Sequence, residues 1–167
     1  LEEALKADAK HDRLDRVQDI ADLADIHYVR RKEREGLGDA VLYARKHVGD
    51  EPFALLLGDT IIENEIPCTE SLVAAAEAHD SSVLSLERVP WDSVSRYGVA
   101  DLQDADQDTP GVPVADFVEK PTPADAPSNL AITGRYVLTP EIFDALERID
   151  PGVGDELQLT DAIRLLS

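Results

Sequence analysis

The chain has 167 residues, with 35 Asp or Glu against 16 Lys or Arg, so its formal net charge is −19. Nucleic acids are bound by neutralising phosphates with Lys and Arg, so this balance argues against a DNA or RNA partner. No apolar stretch approaches the roughly 20 residues of a membrane span, which argues against a membrane protein. The 43% hydrophobic residues are enough for the core of one domain.

Cysteine, methionine and lysine usage adds three expectations. Cys68 is the single cysteine, so no intrachain disulfide forms. There is no methionine, so Leu1 is not expected to be the native start, and the acidic first residues do not form a signal peptide. Lysine is scarce and acids are spread along the chain, which favours a halophilic protein of a salt-rich cytoplasm over an ordinary acidic one.

Hydrophobic spacing predicts alternating helices and strands, which favour an α/β fold with right-handed crossovers. In chain order the predicted elements are helix 1–24, strand 26–30, helix 39–48, strand 53–57, helix 69–78, strands 82–89, 97–102, 112–118 and 131–138, and helices 140–146 and 157–166. The continuous apolar run 53–57 predicts a strand buried on both faces, as in a parallel sheet. Thr69 is the predicted N-cap of its helix, and residues 104–111 are a predicted acidic turn.

Asp59 is the first candidate for chemistry. It follows the apolar run 53–57, at the edge where open α/β sheets place their ligands. A carboxylate there is suited to hold a divalent metal beside phosphate oxygens. An Asp between Gly58 and Thr60 is equally typical of a turn or a helix cap, so position alone leaves both roles open.

Two glycines, Gly36 and Gly38, stand between a predicted strand and the next helix. Glycines there let a ligand approach the backbone, and helix N–H groups favour anions, but two glycines alone are more typical of a tight turn. A basic run that includes Arg31 precedes them, which indicates either a nucleotide partner or a solvated patch.

Glu119 and Lys120 form the last candidate cluster. A Lys at a strand end pairs with phosphate, and a Glu beside it accepts hydrogen bonds from sugar hydroxyls; the alternative is a surface ion pair of little energetic weight. The four histidines show neither HxxxH nor HExxH spacing, and no GxSxG occurs, so hydrolase classes lack support.

Five segments, taken in order, resemble the nucleotidyltransferases that make nucleotide sugars, and within them the branch that uses UTP and glucose 1-phosphate. These segments are residues 27–62, RYGV at 96–99, FVEKP at 117–121, 128–144 and 154–163. The resemblance implies a Rossmann-like three-layer α/β fold with a mixed, mainly parallel sheet. It also implies that residues 1–167 belong to a single domain without its N-terminal triphosphate loop and C-terminal end, so we expect this stretch alone to be inactive.

The family's reaction is attack of a sugar 1-phosphate on the α-phosphorus of a nucleoside triphosphate, releasing pyrophosphate, with Mg²⁺ as cofactor. By motif, the resemblance makes Asp59 and Lys120 catalytic, Asp59 as the Mg²⁺ ligand and Lys120 on the sugar phosphate. The implied substrate-binding residues are Gly36 and Arg31 for the base, Gly98 and Glu119 for the sugar, and Gly134 for glucose through its backbone. The family often has Gln at the position of Arg31, and Arg accepts no hydrogen bond, which leaves base choice open.

Two alternatives remain at the level of sequence. Gly58-Asp59-Thr60 replaces the uridylyl enzymes' more usual PDD, which favours a dTTP-using thymidylyl relative. The other alternative is a regulatory module that binds nucleotide sugars without chemistry. Relatives commonly form homo-oligomers, so we expect one here.

Overall fold

The computed structural model describes residues 2–7, 11–33, 35–102 and 111–166. They fall into two compact units, Leu1–Arg30 and Arg31–Ser167. Apart from Gly111, the predicted acidic turn at 104–111 lies outside the described residues.

The first unit contains two helices, α1 (Glu2–Ala7) and α2 (His11–Ala21), where the hydrophobic spacing predicted one helix over 1–24. Leu14 of α2 is buried. The predicted strand at 26–30 is wrong: these residues are irregular, and Tyr28 is 92% exposed. A strand needs a neighbour for its backbone N–H and C=O groups, and no described strand pairs with this segment.

Within the described ranges, the second unit carries the sheet and five α-helices. Its helices are α3 (Leu37–Leu42), α4 (Arg45–Val48), α5 (Cys68–His79), α6 (Glu141–Leu146) and α7 (Leu159–Arg164). Its strands are β1 (Phe53–Leu56), β2 (Val83–Arg88), β3 (Gly98–Asp101), β4 (Asp116–Glu119) and β5 (Leu130–Leu138). Two 3-10 helices that the periodicity did not predict lie at Trp91–Arg96 and Val153–Asp155. The remaining predicted strands are thus confirmed in position, with ends that differ by a few residues.

The long strand β5 is the centre of the sheet. Val137 of β5 pairs with Ala54 of β1 on one edge and with Val83 of β2 on the other. Ala131 of β5 likewise pairs with Val99 of β3 on one edge and with β2 on the other. β1 and β3 therefore share one edge of β5, β2 takes the other, and β4 lies beyond β3.

The predicted mainly parallel sheet is wrong for the described strands, because every pairing among them is antiparallel. β1 and β2 do run in the same direction, but β5 lies between them. The hydrophobic periodicity of the sequence predicts that consecutive strands are joined by a crossover. It does not show that a later strand, here β5, inserts between β1 and β2. The predicted burial of β1 on both faces is also wrong, since Leu56 is 52% exposed.

The core forms where helices α3, α6 and α7 pack on the sheet. Phe143, Leu146 and Ile142 of α6 are fully buried, and the ring of Phe143 stacks on that of Phe53 at 5.3 Å. Each such side chain contributes about 1.5–3 kcal/mol through removal from water. This packing gives the residues at the strand ends a rigid support.

Helix α5 packs against β2 and β5 and buries Leu72. The predicted N-cap Thr69 is wrong, because α5 begins at Cys68 with Pro67 at the capping position and no side-chain cap. Proline has its φ fixed near the value that the turn into a helix needs, and its missing N–H costs nothing there.

Candidate active site

The Asp59 loop, residues 57–60, turns the chain at the carboxyl end of β1. The Leu57 N–H donates to the Gly134 carbonyl at 3.0 Å, and the Thr60 N–H reaches the Leu57 carbonyl at 3.4 Å. Asp59 is exposed at the turn, and Thr60 Oγ1 lies 3.4 Å from its Oδ1. The carboxylate therefore faces solvent at the edge of the sheet where the sequence predicted it.

Gly134 of β5 packs directly against this loop. Its φ is +69°, and a Cβ there would come within 2.9 Å of Thr60 Oγ1 and 3.2 Å of Leu57 Cβ. Only glycine fits both the left-handed backbone and the close approach. The structure thus brings Gly134 to the Asp59 loop, while its contact with glucose stays a prediction.

Gly98, Glu119 and Lys120 form a second group. Gly98 pairs with Glu119 between β3 and β4, and a Cβ on Gly98 would lie 3.1 Å from Glu119 Oε2 and 2.8 Å from Thr160 Oγ1. The Glu119 side chain is only 12% exposed and lies 3.4 Å from Lys120 Nζ. A side chain larger than hydrogen at position 98 would displace the carboxylate, so the glycine and the acid belong to one arrangement.

Lys120 has an unusual backbone. Its φ is +46°, a region that residues other than glycine rarely adopt, and its N–H donates to the Tyr97 carbonyl at 2.9 Å. Such strain persists only where the surroundings hold it, and it concentrates at functional sites. The unusual backbone thus coincides with the Glu119–Lys120 pair, and the role of this pair stays a prediction.

Tyr136 connects the two groups. Burial raises the pKa of the Tyr136 hydroxyl, and the carboxylates of Glu119 and Asp59 raise this pKa further. Tyr136 therefore stays protonated and neutral under working conditions. The register places the two groups near each other: on the edge of β5 that β1 and β3 share, β1 ends opposite Arg135 and β3 pairs through Val99 with Ala131, so the Asp59 loop and the Gly98–Glu119 pair flank the same stretch of β5.

A third group surrounds Gly36. Arg31 Nη1 donates to the Gly36 carbonyl and to Asp39 Oδ2, both at 3.0 Å. Gly36 has φ +100°, and a Cβ there would meet Leu157 O at 2.8 Å and Glu156 Cβ at 2.9 Å. The segment at 156–157 therefore occupies the space beside Gly36, and the two hydrogen bonds of Arg31 hold the loop in place. Contacts of Gly36 and Arg31 with a base stay predictions.

The Gly36 loop is tied to the segment before α7. The Leu157 N–H donates to the Glu35 carbonyl at 2.7 Å, and the Gly38 N–H donates to the Leu157 carbonyl at 2.8 Å. Helix α7 then places Thr160 beside Gly98. Through α7, the third group is therefore connected to the Glu119–Lys120 pair.

Asp161 is a functional candidate to which the sequence analysis gave no role. Burial raises the pKa of its carboxyl, Glu119 raises this pKa further, and Arg164 opposes both effects. Arg135 is the other residue that was missed. It donates to three main-chain carbonyls around the Asp59 loop. It is the one charged residue of the mainly apolar strand β5, and this was the available signal.

The donor set around Asp59 fits a Mg²⁺ ion that is shared with substrate. Across the described ranges, no cluster of three or more His, Cys, Asp or Glu side chains is arranged to hold a metal. Mg²⁺ keeps several waters and is commonly held by one or two carboxylates together with substrate phosphates. A single exposed carboxylate suits that mode and does not suit a protein-only cage.

The described residues thus place two carboxylates, Asp59 and Glu119, and the ammonium of Lys120 around the gap between β1 and β3 on β5. The chain belongs to the nucleotidyl transferase family, whose model matches residues 4–167. It is 48% identical over its full length to a UTP–glucose-1-phosphate uridylyltransferase of Staphylococcus haemolyticus. It spans 57% of that relative's length.

Solved structures give the same family. A UDP-glucose pyrophosphorylase complexed with UDP-glucose matches 94% of this chain and 60% of its own, with a TM-score of 0.85 and 36% identity. A UTP-bound UGPase from Acinetobacter baumannii matches 99% of this chain and 57% of its own, with a TM-score of 0.79 and 32% identity. Among the described helices, none has the length and apolar character to cross a membrane.

Proposed function

We propose that the complete protein transfers a uridylyl group from UTP to glucose 1-phosphate, forming UDP-glucose and releasing pyrophosphate. The observation that carries this proposal is Lys120, with its unusual positive φ, beside the nearly buried Glu119 and opposite Gly98, where a Cβ would crowd the Glu119 carboxylate. The names of the relatives support the choice of UTP and glucose. The cytoplasm, where halophiles accumulate salt, is the proposed location.

The proposed mechanism is an in-line displacement without a covalent intermediate. The phosphate oxygen of glucose 1-phosphate attacks the α-phosphorus of UTP, and pyrophosphate leaves. Lys120 neutralises the sugar phosphate, and Glu119 accepts hydrogen bonds from sugar hydroxyls. Asp59 would hold Mg²⁺, which supplies charge neutralisation at the phosphate oxygens when bound. The residues' main contribution is positioning and electrostatic stabilisation.

We propose, in addition, that residues 1–167 belong to one nucleotidyltransferase domain of Rossmann-like three-layer architecture. The family match over nearly the whole chain supports this. A homo-oligomer is proposed on the resemblance alone.

The first test is Asp59→Asn in the complete protein, with pyrophosphate release measured from UTP or dTTP with glucose 1-phosphate. Loss of the metal carboxylate removes several kcal/mol of transition-state stabilisation, so kcat should fall at least about a hundredfold. Asp50→Asn, in an exposed residue before β1, is the matched control and should leave kcat unchanged. Full activity of Asp59→Asn would remove the metal assignment, and faster release from dTTP than from UTP would move the protein to the thymidylyl branch.

The second test concerns Lys120. Removing a charge-assisted contact to phosphate costs about 1.5–3 kcal/mol, so Lys120→Ala should raise the KM for glucose 1-phosphate roughly tenfold to a hundredfold. The KM for UTP should change much less. Lys46→Ala, in an exposed residue of α4, controls for the loss of one positive charge. An unchanged KM for the sugar phosphate would place Lys120 outside the site.

A further inference from the structure

We infer that Arg135 is a positioning residue that holds the Asp59 loop in the conformation that the metal-binding carboxylate needs. The inference rests on the proposed function, because it gives Arg135 a task in the same reaction. Arg135 lies on β5, where its backbone pairs with Leu56, the last residue of β1. Its side chain therefore starts beside the point at which the Asp59 loop leaves the sheet.

The guanidinium of Arg135 forms hydrogen bonds with the main chain on both sides of Asp59. Nη1 donates to the Leu57 carbonyl at 3.1 Å, and Nη2 donates to the Thr60 carbonyl at 2.6 Å. One accepting carbonyl thus precedes Asp59 and the other follows it, so one planar group holds both sides of the turn. Arginine suits this task because its donors form a rigid fork, whereas lysine carries a single flexible ammonium.

The same guanidinium also ties β5 to the loop. Nη1 donates to the Gly134 carbonyl at 2.9 Å, and that carbonyl accepts the Leu57 N–H as well. Gly134 in turn approaches Thr60 too closely for any larger residue. Gly134 and Arg135 therefore hold the Asp59 loop against β5 together, Gly134 by close packing and Arg135 by hydrogen bonds.

The guanidinium of Arg135 donates its hydrogen bonds to main-chain carbonyls and not to a carboxylate of the described residues. The described part of the chain shows no ion pair between Arg135 and a carboxylate, and the exposed Asp59 accepts a long hydrogen bond, at 3.4 Å, from Thr60 Oγ1. A carboxylate that is neutralised within the protein has less charge to offer a cation. Holding the loop through its carbonyls positions Asp59 without placing the Arg135 guanidinium in an ion pair with it.

The experiment uses the complete protein with Arg135→Ala and Arg135→Lys. Groups that orient a metal ligand typically contribute 10–100-fold to metal affinity or activity. Mn²⁺ binding in the presence of UTP, followed by electron paramagnetic resonance, should weaken by about that factor in Arg135→Ala. The kcat should fall with it, and the KM for glucose 1-phosphate should stay within about threefold. Arg135→Lys should lie nearer to the Ala variant than to the original protein.

Arg45→Ala is the matched control, because it removes two exposed ion pairs at a distance from the Asp59 loop and should leave Mn²⁺ affinity unchanged. Thermal unfolding of each variant separates a local change from failure to fold, and the Lys variant preserves charge and length if the Ala variant unfolds. Unchanged Mn²⁺ affinity and kcat in both folded Arg135 variants would overturn the inference. An original protein that binds Mn²⁺ and UTP without releasing pyrophosphate would instead overturn the proposed function, with the effect on Mn²⁺ affinity still deciding the role of Arg135.

Discussion

Gly98 shows how one missing side chain shapes the candidate site. A Cβ there would come within 2.8 Å of Thr160 Oγ1 and 3.1 Å of Glu119 Oε2. These neighbours belong to α7 and β4, which pack against each other. The glycine therefore sets the distance between a helix and the strand that carries the Glu119–Lys120 pair.

For this reason we expect Gly98→Ala to be destabilising. Overpacking of this kind costs about 1–3 kcal/mol of unfolding free energy, measured by urea denaturation. The KM for glucose 1-phosphate should rise as well, because Glu119 moves. Gly58→Ala is the matched control: its Cβ meets nothing within 4 Å, so stability should stay within about 1 kcal/mol. Equal stability of both variants would contradict the close packing at position 98.

Arg31 has a clearer task in the structure than in the sequence. The departure from the family's usual Gln raised the question of how a base is read, and the structure pairs Arg31 with Asp39 and the Gly36 carbonyl. The Arg31 side chain is 29% exposed and that of Asp39 is 14% exposed, so solvent screens this pair only in part. Arg31 thereby orders the loop, whatever it contributes to base selection.

At the scale of elements, helix α7 carries the carboxylate of Asp161, and folding destabilises its charged form. Asp161 is partly buried and lies within reach of Glu119, and both effects hold the pKa of its carboxyl above 3.8. The folded state therefore binds a proton more readily than the unfolded chain does. Stability from this group is lost as pH rises from about 3.8 through the raised pKa, and the cost is fully present at neutral pH.

Asp161→Asn should accordingly raise the free energy of unfolding at pH 7, and the gain should shrink as pH falls below the raised pKa. Urea denaturation across this pH range measures both quantities. Asp150→Asn, an exposed residue in the loop after α6, should show little change at any pH. A gain that is independent of pH would show that desolvation of the carboxylate is not its source.

Local patterns predicted elements well and their partners poorly. The run at 53–57, its following Asp59 and the EKP motif at 119–121 were found because strand, turn and charge signals are local. The direction of the sheet, the bonds of Arg135 to the Leu57 and Thr60 carbonyls and the contact of Gly36 with Leu157 depend on residues far apart in sequence. The segment 26–30 failed for the opposite reason, since its alternation is local and no described partner strand exists.

At the scale of the whole molecule, charge is the dominant feature. A net charge of −19 on 167 residues opposes compaction, because like charges repel. Most of these acids are exposed, so salt reaches and screens them. Screening shortens the reach of each charge from about 10 Å at 0.1 M salt to about 3 Å at 1 M.

We therefore expect the thermal midpoint to rise as KCl increases from about 0.1 M to about 1 M. Circular dichroism at neutral pH measures this shift. At about pH 4, where many carboxylates are protonated, the same increase in KCl should give a smaller rise. A midpoint that does not depend on salt at neutral pH would contradict the halophilic interpretation.

The bonds that join Glu35 and Gly38 to Leu157 also set an order of events during synthesis. A ribosome releases the Gly36 loop early, and the partner of that loop emerges only after the five strands that the structure describes have been made. Contacts between such distant positions close late, because the intervening chain must first be ordered. The described strands of the nascent chain are therefore complete before Leu157 is available to lock the Gly36 loop.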